Sequence, residues 1–467
     1  MSLTAFVGGL AQALWRERRA SSEALRRLRD ERLRKLVLSA KRSTPLWGER
    51  LAHIDPALPI NLAQIQPITK GELMGRFEDS VAGGVSALEI ERFVQDPAHA
   101  GQLFKGRYVV ATTSGTTGQV GWFVNDARTF AAMNGALLAR VLRYRLTPAE
   151  ILRFAFGRRY RMAMTIATEG HFMTRLVAGY RPVLTRALVD LRAFSVLARA
   201  EETVHRLNLF RPHYLHGYPT YVEALAHERL CGRLAIDPEF ISLGSEPVSQ
   251  SARHTIARAF PRAQLSETYG ATECLLMANQ CSAGRLHVNE DVAILEPVDS
   301  AGRPVPVGQR SDKVYVTNLL NTTQPLLRYE LNDSVTILDD DCPCGSPMTS
   351  IRVDGRSDDT IWLADGADRM APHPPILFES LFLGIPGLRQ YQLVHEAQNR
   401  LVARIVAEPG ADEGVVARQV EASLKGYLER HRLDGCVALQ IEPVTEIPRE
   451  TSGHKLRQIY SKVPRSA

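Results

Sequence analysis

Thr112-Thr113-Ser114-Gly115-Thr116-Thr117-Gly118-Gln119-Val120-Gly121 alternates small hydroxyl side chains with glycine, directly after the apolar run Tyr108-Val109-Val110-Ala111. The apolar run reads as a strand, and the hydroxyl-glycine run as the loop it feeds. Glycines let successive backbone N–H groups turn toward one anion, and hydroxyls add donors without bulk, so the loop suits a polyphosphate. A flexible linker has the same composition. The run also lacks the Gly-Lys-Ser/Thr ending of a Walker loop. Its meaning therefore depends on partners elsewhere in the chain.

Those partners follow in order. Gly244-Ser245-Glu246-Pro247 comes after Phe240-Ile241-Ser242-Leu243, as a turn at a strand end should. Then come Leu265-Ser266-Glu267-Thr268-Tyr269-Gly270-Ala271-Thr272-Glu273, Leu327-Arg328-Tyr329-Glu330-Leu331-Asn332-Asp333, Gly355-Arg356-Ser357-Asp358-Asp359, and finally Pro448-Arg449-Glu450-Thr451-Ser452-Gly453-His454-Lys455-Leu456-Arg457. This succession resembles the adenylate-forming superfamily of acyl-CoA synthetases, luciferases and adenylation domains, and within it the phenylacetate-CoA ligase branch. The likeness extends upstream through Ser43-Thr44-Pro45-Leu46-Trp47 and Gln66-Pro67-Ile68-Thr69-Lys70.

The resemblance implies an α/β fold: a large N-terminal adenylate-forming domain of layered sheets and helices, and a small α+β C-terminal lid domain. It implies that Thr113, Ser114, Gly115, Thr116, Thr117 and Gly118 grip the β and γ phosphates of ATP. Glu273 would hold Mg2+, Thr272 would touch the α-phosphate, and Tyr269 would stack on adenine beside Gly270 and Glu267. Ser245, Glu246 and Pro247 would form the adenine wall. Asp333 would accept hydrogen bonds from both ribose hydroxyls, a task suited to a carboxylate, and Arg356 would add a ribose or phosphate contact. The lid would swing about Asp358 and bring Lys455 to the carboxylate and α-phosphate, so that CoA enters as co-substrate. Singly, Glu273 also reads as a turn residue, Asp333 as an Asx-turn former and Asp358 as a helix cap.

The chain departs from the family pattern in three places. Gln119-Val120-Gly121 stands where many relatives place a lysine. Ser452-Gly453-His454-Lys455 holds one residue more than the usual Ser-Gly-Lys, which leaves open whether His454 or Lys455 is the catalytic lid residue. Between Ile361 and Phe378, Asp365-Gly366-Ala367 and Pro372-His373-Pro374-Pro375 replace a glycine-centred loop that helps build the thioester site in relatives.

Four of the residues suited to metal binding fall in two short segments. Cys281 and His287 have five residues between them, and Cys342-Pro343-Cys344-Gly345 follows. Three thiolates and an imidazole form a closed tetrahedral set of the kind that holds structural Zn2+; some relatives in the branch carry such a site, and buried unliganded thiols are the alternative. Cys231, Cys274 and Cys436 lack partners at ligand spacing. So few cysteines in a long chain do not make a disulfide framework.

At 467 residues the chain exceeds a single core. The expected division is a basic helical arm over residues 1–50, an ATP- and acyl-binding domain over 51–355 and a mobile lid over 356–467. The net charge of +6 and pI near 9.0 point away from nucleic acid once located. Residues 16–42 hold eleven Lys/Arg against four Asp/Glu, an excess of +7, so the rest of the chain is near −1. Leu25, Leu28, Leu33 and Leu36 recur there at helical spacing, and no aromatic residue interleaves the arginines. A helix packed on the main domain, within its own chain or across a homodimer, is the plain reading; a membrane surface or an acidic partner is the other. No apolar run reaches the roughly 18 residues of a spanning helix. The segment from Leu3 to Trp15 lacks the charged leader of a signal peptide, so a cytoplasmic address is expected.

Between residue 67 and about Pro347 strands alternate with helices, with helices expected at Ala131–Arg145, Leu191–Leu207 and Tyr221–Leu230. Beyond the hinge, Leu388–His395, Leu401–Ala407 and Val437–Pro443 read as strands and Val415–Arg430 as a helix. His216-Gly217-Tyr218 and Ala163 to Phe172 are expected to border the pocket of a small carboxylic acid, aromatic acids included. The predicted reaction is adenylation followed by transfer to CoA. An amine or a carrier-protein thiol is the alternative acceptor, and a noncatalytic nucleotide-binding module is the reading from another class.

Overall fold

The computed structural model describes residues 2–19, 21–99, 101–113, 120–141, 159–168, 170–196, 198–246, 248, 250–353, 361–364, 370–373, 375–382, 385–447 and 459–463. Its centre is a nine-stranded mixed sheet. Five parallel strands run from the edge strand Val189–Ser195 through Tyr160–Ile166, Tyr214–Gly217 and Phe240–Gly244 to Gln264–Tyr269. The sheet continues antiparallel through Ala278–Gln280, Leu286–Val288, Ser350–Val353 and Val335–Ile337. Phe240–Gly244 is buried at every position, as a central parallel strand covered on both faces must be. In such a sheet ligands gather at the carboxyl ends of the strands. Gly217, Gly244 and Tyr269 are the last residues of three adjacent strands.

Two smaller sheets accompany the central one. Tyr108–Thr112 and Trp122–Asp126 form an antiparallel pair, with Thr112 opposite Trp122 at the mouth of the hydroxyl-glycine loop. Ala293–Val298, Lys313–Asn318 and Tyr329–Leu331 form a three-stranded antiparallel sheet.

The segment Leu191–Leu207, expected as one helix, is a strand over Val189–Ser195 and a helix over Ala200–Phe210. Leu191, Phe194 and Ala198 fit helical spacing in sequence, but the free edge of Tyr160–Ile166 takes the first half as a parallel strand over seven residue pairs, Tyr160 with Val189 to Ile166 with Ser195. Tertiary pairing overrides local pattern here. The helix then starts with Glu201 and Glu202 in its first turn, where acidic groups favour the N-terminus.

The N-terminal arm is two long helices, Leu3–Arg19 and Ser22–Ser43, followed by Pro45–Arg50. Ser21 caps the second by accepting from the Ala24 N–H. Leu25, Leu33, Leu36, Val37 and Ala40 are buried along its inner face. The first helix lies against Ala127–Val141 so closely that a Cβ on Gly135 would stand 2.0 Å from the Phe6 carbonyl oxygen. The arm is tied down at Asp291, which is 1% exposed and pairs with Arg140 at 2.5 Å and Arg16 at 2.9 Å, while Arg32 donates to its carbonyl.

The C-terminal part carries a four-stranded sheet in the order Ala438–Pro443, Arg400–Ala407, Leu388–Ala397, Ile459–Ser461, with the helix Glu413–Arg430 on one face. Its Phe378, Leu393 and Tyr427 share one apolar cluster with Tyr221, Ile241 and Ile256 of the central sheet region. Among the described residues no helix is long and apolar enough to cross a membrane.

Candidate active site

Glu273 stands at the apex of a tight turn just beyond the strand Gln264–Tyr269. Ala271 and Cys274 exchange both backbone hydrogen bonds, and the Met277 N–H returns to the Tyr269 carbonyl. A Cβ on Gly270 would lie 2.1 Å from the Leu275 carbonyl oxygen, so only glycine lets the two arms of this turn close. Thr272 and Glu273 are thereby presented together at the strand end.

From the other side, Tyr329 donates to Glu273 Oε1 at 3.1 Å and Asn318 Nδ2 donates to the Glu273 carbonyl at 2.9 Å. Burial raises the Glu273 carboxyl above its ordinary value, against the charge of nearby Lys70, while the charge of Asp333 adds to the rise. Asp333 follows the strand Tyr329–Leu331 and accepts from the Tyr269 hydroxyl at 2.9 Å. Burial first, and then the Asp333 charge, keeps the Tyr269 phenol protonated. Two tyrosines thus each hold one carboxylate, and the two carboxylates feel each other.

The mouth of the hydroxyl-glycine loop is marked by Thr113. Its Oγ1 accepts from the Gly121 N–H at 2.9 Å and from Lys70 Nζ at 2.9 Å. Lys70 is the first residue of the helix Lys70–Gly75, whose start is set by a capping box between Thr69 and Glu72. Sequence reasoning noted Lys70 only within a longer likeness and did not single it out. The signal that would have found it is the lysine absent at Gln119, since a loop expected to hold polyphosphate calls for a cation from elsewhere in the chain. Ser114, Gly115, Thr116, Thr117 and Gly118 lie outside the described residues, as do Pro247, Arg356, Asp358, His454 and Lys455.

On the next strands, Ser245 has a left-handed φ of 69° at the end of Phe240–Gly244. Glu246 Oε2 accepts from the Thr220 hydroxyl at 2.8 Å, tying this turn to the helix Pro219–Leu230. Glu267 is ion-paired with Arg253 and so faces the helix Gln250–Ala259. His216 Nδ1 meets the Ser242 hydroxyl at 3.3 Å on the neighbouring strand, and burial lowers the imidazole to about 4, so it is neutral. Thr165 donates to the His216 carbonyl at 3.1 Å, and the Tyr218 hydroxyl accepts from the Ala167 N–H at 3.3 Å. Gly217 sits between them. The structure therefore joins the 163–172 stretch to His216, Gly217 and Tyr218.

A second cluster lies at the antiparallel end of the sheet. The ligand atoms of Cys281, His287, Cys342 and Cys344 all fall within 4.8 Å of one another. Cys281 and Cys342 sulfurs are 3.5 Å apart, and Cys344 Sγ is 3.4 Å from His287 Nε2. His287 Nδ1 is 2.7 Å from the Met348 carbonyl, which requires Nδ1 to carry the proton and turns the Nε2 lone pair toward the thiols.

Phenylacetate-coenzyme A ligase of Pseudomonas putida is 27% identical over 362 residues, 73% of each chain. Over most of its length the chain is similar in sequence to that ligase. No protein-family profile matches the chain. Protein CapK of Staphylococcus aureus is 27% identical to it over 257 residues, 54% of each chain. In fold, it is similar to 2-hydroxyisobutyryl-CoA ligase in complex with 2-HIB-AMP and CoA in the thioesterification state, with a TM-score of 0.61 at 18% identity over 96% of this chain and 91% of that one. The same ligase in its postadenylation state gives a TM-score of 0.56 at 17% identity, again over 96% and 91%.

Proposed function

We propose that the chain is an AMP-forming acid–thiol ligase that activates a small carboxylic acid with ATP and passes the acyl group to CoA. The observation that carries this reading is the linkage of Thr113, Lys70, Glu273 and Asp333. Lys70 bonds Thr113 at 2.9 Å and its charge reaches Glu273, which in turn feels Asp333. A loop neck, a cation and two carboxylates from four separate parts of the chain meet at the carboxyl end of one sheet. A triphosphate with its ribose has those needs.

In this reading an oxygen of the substrate carboxylate attacks the α-phosphorus and the bond to pyrophosphate breaks. The CoA sulfur then attacks the acyl carbon, and AMP leaves. Lys70 and the loop from Thr113 to Gly118 hold the β and γ phosphates where charge accumulates. Tyr269, Gly270 and the Gly244–Pro247 turn enclose the adenine, with Glu267 behind them, and Asp333 and Arg356 bind the ribose. Glu273 fits Mg2+: it is a half-buried carboxylate raised by its surroundings, the kind of group a hard cation relieves. Bound there, Mg2+ supplies neutralisation of phosphate charge. Thr272 meets the α-phosphate. The lid, residues 356–467, turns about Asp358 and delivers Lys455 or His454. His216, Gly217 and Tyr218 line the acyl pocket.

The Cys281, His287, Cys342 and Cys344 set fits Zn2+, since the thiols face an imidazole whose tautomer is already fixed for ligation. With all four positions filled by protein such a site is structural.

The test is hydroxamate trapping with Mg-ATP over a panel of carboxylic acids, followed by CoA, amines and carrier protein offered in turn to the best acid. Acid-dependent hydroxamate and a CoA thioester are expected. No activation with any acid would sink the reading, and activation with an acceptor other than CoA would correct its second half.

A further inference from the structure

Glu273 sits at a turn apex, a place where a side chain is ordinarily free to swing. Here it is held at two points by the neighbouring three-stranded sheet. We propose that Tyr329 and Asn318 are positioning residues that clamp Glu273 in the orientation needed for magnesium-bound nucleotide, a role that rests on reading Glu273 as the magnesium carboxylate.

Tyr329 is suited to this by where it stands. It is 1% exposed and lies opposite Val316 in the sheet. Its ring meets Phe123 edge-on at 5.9 Å, and Phe123 belongs to the hairpin that carries the hydroxyl-glycine loop. The main chain on either side of it pairs with Ile68: the Ile68 N–H donates to the Arg328 carbonyl at 3.1 Å and the Glu330 N–H to the Ile68 carbonyl at 2.9 Å. Ile68 is two residues before Lys70. One buried ring therefore touches the loop hairpin and the magnesium carboxylate, and its flanking backbone fixes the segment that presents Lys70. Asn318, also 1% exposed, completes the clamp from the adjacent strand. Its Oδ1 accepts from the Leu320 and Asn321 N–H groups, so the amide cannot turn away from the Glu273 carbonyl without losing both. The phenol donates to Oε1 only. Removing that donor leaves the carboxylate in place but lets it rotate.

The experiment is calorimetric titration of ATP into the full-length protein and Tyr329→Phe, each with Mg2+ and with EDTA. A melting curve without nucleotide checks that the variant is folded; the change removes one oxygen and keeps the Phe123 contact. Wild type is expected to bind more tightly with Mg2+. Tyr329→Phe should lose about tenfold in affinity with Mg2+, the loss expected for one hydrogen bond to a charged group, and nothing in EDTA. In a Glu273→Gln background the same substitution should have no further effect. Equal loss in EDTA, full retention of the Mg2+ gain, or an undiminished loss in the Glu273→Gln background each overturns the clamp while leaving the ligase reading intact. Absence of ATP binding by wild type overturns both. Should Tyr329→Phe not fold, Asn318→Ser must show the same magnesium-specific loss for the clamp to stand.

Discussion

Lys70 donates to the Thr113 hydroxyl at the neck of the loop and lowers the cost of ionising Glu273. A single ammonium thus serves two elements that the chain keeps 160 residues or more apart in sequence, at least as counted from Thr113 to Glu273. Its loss should be felt in the chemical step rather than in folding, because it begins a short helix whose capping box lies in Thr69 and Glu72. Lys70→Met is expected to lower acid-dependent pyrophosphate exchange about 10²- to 10³-fold, the usual effect of removing one oriented donor from developing charge. A melting temperature equal to wild type would accompany it. Exchange at the wild-type rate would remove Lys70 from the site. Glu273, Tyr269 and Asp333 were legible in the sequence because each sits in a short run with its own order and spacing. Lys70 was not, because nothing in Gln66-Pro67-Ile68-Thr69-Lys70 says which distant loop the lysine will meet; only the fold brings position 70 to position 113.

At the scale of elements, the four-residue thiol and imidazole cluster joins pieces that the sheet alone holds weakly. Leu286–Val288 and Ser350–Val353 pair over only two residues, Ser350 with His287 and Ile351 with Leu286. Zinc bound by His287, Cys281, Cys342 and Cys344 would cross-link this seam. If so, removing the metal with a strong chelator should lower stability by about 4 kcal/mol where free zinc stands 1,000-fold above its dissociation constant. Denaturant melts with and without chelator, on wild type and Cys342→Ser, measure it. A chelator effect that persists undiminished in Cys342→Ser would remove the cluster as its source. The spacing of these residues made the cluster readable from sequence, since ligand patterns are local. The strand Val189–Ser195 was not readable in the same way. Its residues suit a helix by spacing, and what decides otherwise is an open sheet edge supplied by residues 160–166.

For the molecule as a whole, imidazoles whose surroundings disfavour charge shape its response to acid, among them His171, His216 and His373. Burial lowers His171 to about 4, helped by the charge of Arg175, lowers His216 to about 4, and lowers His373 to about 3. Each is neutral in the folded chain, while an unfolded histidine takes a proton near pH 6.5. Stability is therefore complete above that value and is lost as pH falls from about 6.5 toward 4. A group shifted this far accounts for up to about 3 kcal/mol at the lower end of the window. Melting temperatures recorded from pH 8 to pH 5 should be flat at first and then drop, and His373→Gln should flatten part of the drop. His373 bonds the Tyr427 hydroxyl at 2.5 Å inside the apolar cluster that joins the C-terminal sheet to the central one, so this loss would begin at their junction.

Asp291 gathers Arg140, Arg16 and Arg32 around one carboxylate, and although burial works against its charge, the three guanidiniums hold it ionised with a pKa of about 2. The count is unequal: three cations to one anion. Neutralising that anion, as in Asp291→Asn, would not merely cut a tether. It would convert the anchorage into mutual repulsion, since Arg16 and Arg32 ride on the first two helices and Arg140 on the body beneath them. The N-terminal pair of helices is thus attached by a keystone whose removal drives the stones apart, and protease sensitivity around residue 20 would report the separation.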